Sequence, residues 1–273
     1  MLRRIAVLYH SLRERAVEEA NWIEMQMRSR GVEVAIGNGW DLEVVERLCC
    51  DKQLVIALGG DGTIIHIARL AAPLGVPVVG VNLGRVGFLA EMTPSALHDR
   101  VDDLVEERFW TEEHTMLDVI HHSGDLVERF LALNEVAVTR GRQMHAVHVM
   151  ATLDGEQFST YTADGLLVST ATGSTAYSLA AGGPILYPES RDLLITPVAP
   201  HLHIGRSMLV AGDTVVSLSL ASDRSGTMSV DGTDERPLIQ GDTVEVCRSA
   251  IVSKFARFNP RRYFYSAIAA RLK

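Results

Sequence analysis

The first hundred residues leave few choices of architecture, because short runs of Val, Ile, Leu and Ala recur there with a helix-patterned stretch between each pair. Residues 4–9 (RIAVLY), 32–36, 54–58 and 76–81 read as strands. Residues 11–30, 41–50 and 63–72 read as helices, the first opened by the capping-box pattern Ser11-Leu-Arg-Glu14 and followed by Gly31. Nearly continuous apolar strands separated by helices require a parallel sheet covered on both faces. The expectation is an N-terminal Rossmann-like α/β domain over residues 1–98, with ligands at the carboxyl ends of its strands.

After a helix-patterned stretch at 94–107 the texture changes. Residues 114–120 and 126–139 flank the turn Ser123-Gly-Asp125, residues 146–153 and 157–161 flank Asp154-Gly155, and 214–220 alternates polar and apolar side chains. Such Asp-Gly turns signal hairpins, so residues 99–254 are expected to form a β-rich, sandwich-like domain. Residues 255–273 are weakly amphipathic and are expected to pack back on the first domain. A cleft between domains is the default place for a ligand.

Composition narrows the partners. The formal net charge of −8 offers no general attraction to nucleic acid or an anionic membrane. No apolar run of about 18 residues suggests a span, and the first residues return to charge too soon for a signal peptide. Cys49, Cys50 and Cys247 have neither disulfide-framework nor zinc spacing, which suits a cytoplasmic chain.

The stretch ALGGDGTIIHIAR, residues 57–69, carries the first sign of chemistry. Gly59, Gly60 and Gly62 let the backbone turn and aim N–H groups outward where a helix begins, an arrangement that fits phosphate. The plain alternative is a Gly-rich βα turn whose Asp61 only caps the helix. Neither a Gly-x-Gly-x-x-Gly fingerprint nor a Walker loop matches. A carboxylate among phosphate-binding amides makes sense for phosphoryl transfer, either as the base for the attacking hydroxyl or as a carboxylate associated with metal.

Residues 161–184 (YTADGLLVSTATGSTAYSLAAGGP) bring together seven Ser or Thr hydroxyls and Tyr177, a composition suited to a ligand wall as well as to a turn-rich β segment. Asn134-Glu135 interrupts the apolar FLALNEVAV, and such polar groups pair either internally or with a ligand.

With these stretches in view, the chain resembles the NAD kinase family over nearly its whole length. The resemblance rests on GGDGT at 59–63, GVNLGRVGFLA at 80–90, LNEVAV at 133–138, DGLLVSTATGSTAYSLAAGGPI at 164–185 and SVDG at 229–232. GGDG is shared with lipid kinases and phosphofructokinases, whereas TGSTAYSLAAGGP with the Asn-Glu pair is specific. The resemblance implies transfer of a phosphoryl group from ATP or polyphosphate, with a divalent cation (Mg²⁺ or Mn²⁺), to the 2′-hydroxyl of the adenosine ribose of NAD. A homodimer or homotetramer is implied too. By motif match Asp61 is the catalytic residue, with Gly62 beside the reacting ribose, Asn134 toward adenine and Glu135 toward the ribose hydroxyls. Thr175, Ala176, Tyr177, Ser178, Leu179 and Ala180 would wrap the dinucleotide, with Ser174 in reach, and Asp164 and Ala199 would flank the nicotinamide end. His66, His145 and Thr233 occupy less regular binding positions. Thr162 stands where many relatives carry a basic residue, which bears on acceptance of NADH, and Ala171 replaces a more frequent proline.

Other residues admit two readings. Arg140 and Arg142 balance dinucleotide charge or are solvated, and Arg85 faces donor phosphate or fixes its loop. Asp231 is a hairpin residue or a second carboxylate at the site. The pairs His121-His122 and His201-x-His203 lack companion ligands and suit packing or surface roles. A GGDG lipid kinase and a non-catalytic dinucleotide sensor are the competing functions; the first leaves Asn134-Glu135 and the TGSTAY wall unexplained, and the presence of Asp61 argues against the second.

Overall fold

A computed structural model of the chain describes residues 1–11, 14–84, 87–141, 145–201, 205–221 and 225–271. Along the chain run β1 (Arg4–Tyr9), α1 (Glu14–Arg28), β2 (Glu33–Asn38), α2 (Leu42–Cys49), β3 (Leu54–Gly59), α3 (Asp61–Ala71), β4 (Val78–Asn82), α4 (Pro94–His98) and α5 (Val101–Val105). There follow β5 (Trp110–Ser123), β6 (Leu126–Ala132), β7 (Glu135–Thr139), β8 (Val147–Leu153), β9 (Glu156–Ala163), β10 (Gly165–Ser169), α6 (Tyr177–Ala180), β11 (Leu193–Val198) and β12 (Met208–Val210). β13 (Val216–Leu220), β14 (Gly226–Val230), β15 (Asp234–Leu238), β16 (Thr243–Arg257) and α7 (Tyr263–Arg271) complete it.

Two compact units result, residues 1–113 with 252–273, and residues 114–251. The sequence pattern suggested a boundary near residue 98. The difference arises because Val101, Leu104 and Val105 are buried in the core of the first unit.

In the first unit the strands run parallel in the order β2-β1-β3-β4, and Phe255 near the end of β16 pairs beside Val78. The chain steps outward from β1 to β2, then returns past β1 to β3, so the order reverses between β1 and β3, the position where such sheets bind ligands. On α1, Ala16, Ala20, Ile23 and Met27 fall on one face and bury against Ile5, Val7, Leu54 and Ile56. Each larger apolar side chain so buried contributes about 1.5–3 kcal/mol. The helix expected over 94–107 is two short helices, because Arg100 departs from helical geometry at φ −118° and ψ 14°. The Ser11 capping box spans residues 12 and 13, which lie outside the described residues.

In the second unit one sheet is antiparallel in the order β12-β11-β10-β7-β14-β15. Another antiparallel run is β16-β13-β8-β9, and β5 and β6 form a hairpin. Val136, Val168, Ile195 and Met228 of the first share a core with Val149, Ala151, Leu218 and Val244 of the second, which makes a sandwich. The β8–β9 turn has Asp154 at φ 51° and Gly155 at 85°, the left-handed pair that a tight hairpin needs. FLALNEVAV is not one strand: it breaks at Leu133-Asn134 into β6 and β7, which belong to different sheets.

Candidate active site

In the first unit the site is built on the β3–α3 turn. Gly60 is the N-cap of α3 and provides no side-chain cap, and Asp61 lies in the first helical turn. Asp61 does not fasten its own helix. Its Oδ2 accepts the Phe88 N–H at 2.7 Å, and its Oδ1 is buried with no hydrogen-bond partner among the described residues. An unpaired buried carboxylate oxygen costs free energy that a ligand can recover. Gly87 makes this approach possible, because a Cβ there would overlap the Asp61 carboxylate. Gly60 and Gly62, by contrast, have open space where a side chain would stand and no positive φ, so the fold itself does not demand glycine at either place. Close approach of a ligand to the backbone would.

His66, one helical turn further along α3, stacks on Trp40 with ring centroids 4.5 Å apart and planes 12° from parallel. Trp40 follows β2 and also meets His10 at the end of β1, at 5.7 Å. His66 thus stands at the carboxyl-end rim of the parallel sheet, beside the Asp61 turn. Arg85 lies outside the described residues.

In the second unit Asn134 and Glu135 are 6% and 7% exposed, and Asn134 Oδ1 and Glu135 Oε2 are buried without partners among the described residues. Burial pushes the Glu135 carboxyl up to about 8, and the nearby Asp231 charge adds to the shift. Their backbone is held from the β14–β15 turn. Asp231 Oδ2 accepts the Leu133 N–H at 2.8 Å, and Oδ1 accepts those of Asn134 and Glu135 at 2.8 and 3.1 Å. The Asp231 amide in turn donates to the Glu135 carbonyl at 3.0 Å. At φ 48°, with Gly232 at 69°, Asp231 makes the hairpin, and its carboxylate binds the backbone amides of Leu133, Asn134 and Glu135.

The TGSTAY segment closes on the same turn. Thr170 donates its amide to the Asn134 carbonyl at 2.9 Å and its hydroxyl to the Leu133 carbonyl at 2.6 Å. Gly173 sits so close that a Cβ would overlap the Asn134 carbonyl. Ser174 Oγ donates to the Ala171 carbonyl and accepts the Leu186 N–H, and Ser178 Oγ shares a hydrogen bond with Thr196 Oγ1 at 2.8 Å. Those buried hydroxyls brace the loop. Thr175, Ala176 and Leu179 are partly exposed, while Tyr177 and Ala180 are exposed, which leaves the Tyr177 ring free to stack. Thr233 follows the clamp and donates to the Val230 carbonyl.

Not every expected residue joins this cluster. In the register of β10, Ser169 pairs with Glu135, whereas Gly165 pairs with Thr139 and Val198. Asp164 and Ala199 therefore lie at the other end of the strands, five residues along and about 17 Å away. Asp164 is ion-paired with Arg140 at 2.9 Å, Ala199 is exposed at φ 44°, and Thr162 shares a hydrogen bond with His148 at 3.0 Å. His145 is exposed. Arg142 and His203 lie outside the described residues. His121 is buried between Glu128 and Asp242, at 3.5 and 3.6 Å, in a packing role. All three thiols are free.

Sequence reasoning missed Gly87, Phe88 and the amide clamp by Asp231. The first two lie within GVNLGRVGFLA, but nothing local to that run says it folds onto Asp61.

Comparison with known proteins bears on the family. Residues 9–109 match the family model of the ATP-NAD kinase N-terminal domain, and 133–258 that of the C-terminal domain. The NAD kinase of Chloroflexus aggregans is 38% identical over 274 residues, covering all of this chain and 99% of the relative. That of Dehalococcoides mccartyi strain CBDB1 is 34% identical over 275 residues, covering all of this chain and 97% of the relative. Among solved structures, yeast NADH kinase complexed with NADH superposes at a TM-score of 0.84 and 22% identity, covering 98% of this chain and 86% of that one. The NAD kinase from Archaeoglobus fulgidus in complex with ATP gives 0.79 and 25%, covering 97% and 98%.

Proposed function

The chain belongs to the NAD kinase family, and from that premise we propose which of its residues perform the transfer of a phosphoryl group from ATP to NAD. The observation that carries the assignment is Asp61 Oδ1, buried and unpartnered at the start of a helix whose glycines leave the backbone open. A carboxylate there accepts the proton of the ribose 2′-hydroxyl as its oxygen bonds to the γ-phosphorus. The bond from that phosphorus to the bridging oxygen breaks, and its electron pair leaves with ADP. The Phe88 amide fixes the other carboxylate oxygen, so Oδ1 faces the hydroxyl in one orientation.

A divalent cation fits this reading. Among the described residues no group of three or more His, Cys, Asp or Glu could hold a metal. Mg²⁺ commonly takes one or two carboxylates plus substrate phosphates, and Asp61 is the carboxylate that would serve. When bound, the cation neutralises charge on the donor phosphates. Mg²⁺ or Mn²⁺ and inorganic polyphosphate as an alternative donor belong to this proposal.

The acceptor is held by the second unit. Asn134 offers an amide to the adenine edge and Glu135 a carboxyl to the vicinal ribose hydroxyls, each using the atom that lacks a protein partner. Tyr177 supplies a stacking face, with Ser174, Thr175, Ala176, Ser178, Leu179 and Ala180 shaping the wall. Gly62 lies beside the reacting ribose, and His66, His145 and Thr233 are assigned to the periphery of the dinucleotide. Asp164, Ala199 and Thr162 take the nicotinamide end. The place of Asp164 and Ala199 at the ends of β10 and β11 away from Glu135 favours a homodimer or homotetramer, in which that end of one copy serves another. Among the described residues no helix is long and apolar enough to cross a membrane, and a cytoplasmic enzyme is proposed.

The direct test is to incubate purified protein with NAD or NADH, each of ATP and polyphosphate, and Mg²⁺ or Mn²⁺, then separate products by chromatography. NADP formation from NAD and ATP is expected. Its absence under every combination would overturn the assignment.

A further inference from the structure

The C-terminal helix carries a cation toward the Asp61 turn. The Arg271 guanidinium lies 5.2 Å from the centroid of the Phe88 ring, and the Phe88 amide is the group bound to Asp61. Partial burial lowers the Arg271 pKa, while the Asp61 charge opposes that shift and Arg257 adds to it. Arginine stays charged under such shifts.

The two arginines are used differently. Arg257 is taken up: Nε donates to Glu112 at 2.8 Å, and Nη1 to the Leu89 carbonyl at 3.0 Å and to Glu91 at 3.4 Å. Glu91 is itself occupied by the amides of Phe258 and Asn259. Arg271, by contrast, makes no hydrogen bond or ion pair with any described residue, although a carboxylate lies within its field. A phosphate chain brought to Asp61 meets that negative charge, and a net charge of −8 supplies no general compensation. A guanidinium with free N–H donors, held over an aromatic ring, supplies it locally.

We propose that Arg271 is a donor-binding residue, whose guanidinium takes a terminal phosphate of the nucleoside triphosphate or polyphosphate that reacts beside Asp61. The proposal rests on the phosphoryl-transfer reading of Asp61. Because the contact is to phosphate and not to nucleoside, Arg271 serves both donors alike.

The test compares wild type with Arg271→Gln and Arg271→Lys. Calorimetry measures binding of ATP with Mg²⁺ and of inorganic tripolyphosphate with Mg²⁺, and steady-state kinetics give separate KM values for ATP and NAD. R271Q is expected to weaken both anions by about 10- to 100-fold and to raise the KM for ATP similarly, with the KM for NAD changed less than about 2-fold. R271K is expected to recover part of the loss, as a point charge without the fork. A purely structural arginine would lower the melting temperature and move both KM values together, and that result would overturn the proposal. So would unchanged affinity for both anions, or weaker binding of ATP alone. Should R271Q fail to fold, R271K decides: affinity equal to wild type for both anions, with the fork removed, counts against the contact. Should wild type form no NADP, the functional reading fails, and the binding comparison still judges Arg271.

Discussion

Asp231 binds the backbone of Glu135: one carboxylate oxygen accepts the Glu135 amide at 3.1 Å, and the Asp231 amide returns a bond to the Glu135 carbonyl at 3.0 Å. The same carboxylate also holds Leu133 and Asn134. A hairpin residue thereby decides where the Asn134 and Glu135 side chains, proposed to bind the acceptor, begin.

Asp231→Ala leaves three partly buried amides without their acceptor. A loss of about 2 kcal/mol or more in stability is expected, together with a rise of about 10-fold in the KM for NAD. Urea unfolding and initial rates check both, and a normal KM in a destabilised variant would show that the clamp serves the fold alone.

Glu135 makes stability depend on pH in a definite direction. Its carboxyl holds a proton up to about 8 in the folded chain, against an ordinary value of 4.5. Between these values the unfolded chain binds fewer protons, so this contribution is complete below pH 4.5 and is lost as pH rises through about 8. Glu135→Gln removes the effect. The variant is expected to be more stable than wild type by about 1–3 kcal/mol near pH 9 and little different near pH 5, while its KM for NAD rises. Denaturant unfolding at the two pH values decides the matter.

Asp61→Asn keeps the Phe88 contact through its carbonyl oxygen but has no proton acceptor of comparable basicity. Turnover is expected to fall by about 10² to 10⁴, with NAD affinity within a few-fold of wild type. Rates within a few-fold of wild type would assign Asp61 to binding.

Gly62 and Gly173 separate ligand approach from chain packing. Gly173→Ala drives a methyl group into the Asn134 carbonyl, and a loss of about 1–3 kcal/mol is expected. Gly62→Ala has open space in a helical turn, so stability should stay level or rise by up to about 1 kcal/mol while kcat/KM falls. Thermal unfolding beside kinetics would show this crossing of effects, and loss of stability in G62A would contradict the role given to that glycine.

Much of the protein was legible in its sequence because it is local. Apolar runs alternating with helices dictate the parallel sheet, Asp154-Gly155 dictates a hairpin, and GGDG places a carboxylate at a helix start whatever surrounds it. Tertiary structure decided the rest. That Gly87 makes room for Asp61, that Asp231 reaches Glu135 from 96 residues away, that Asp164 and Glu135 fall at opposite ends of paired strands, and that Arg271 arrives over Phe88 all depend on which strands and helices become neighbours. Spacing along the chain fixes a turn or a cap, since those hydrogen bonds close within a few residues. Contacts between distant segments are set only when burial of the cores chooses the strand order, and no short motif records that choice.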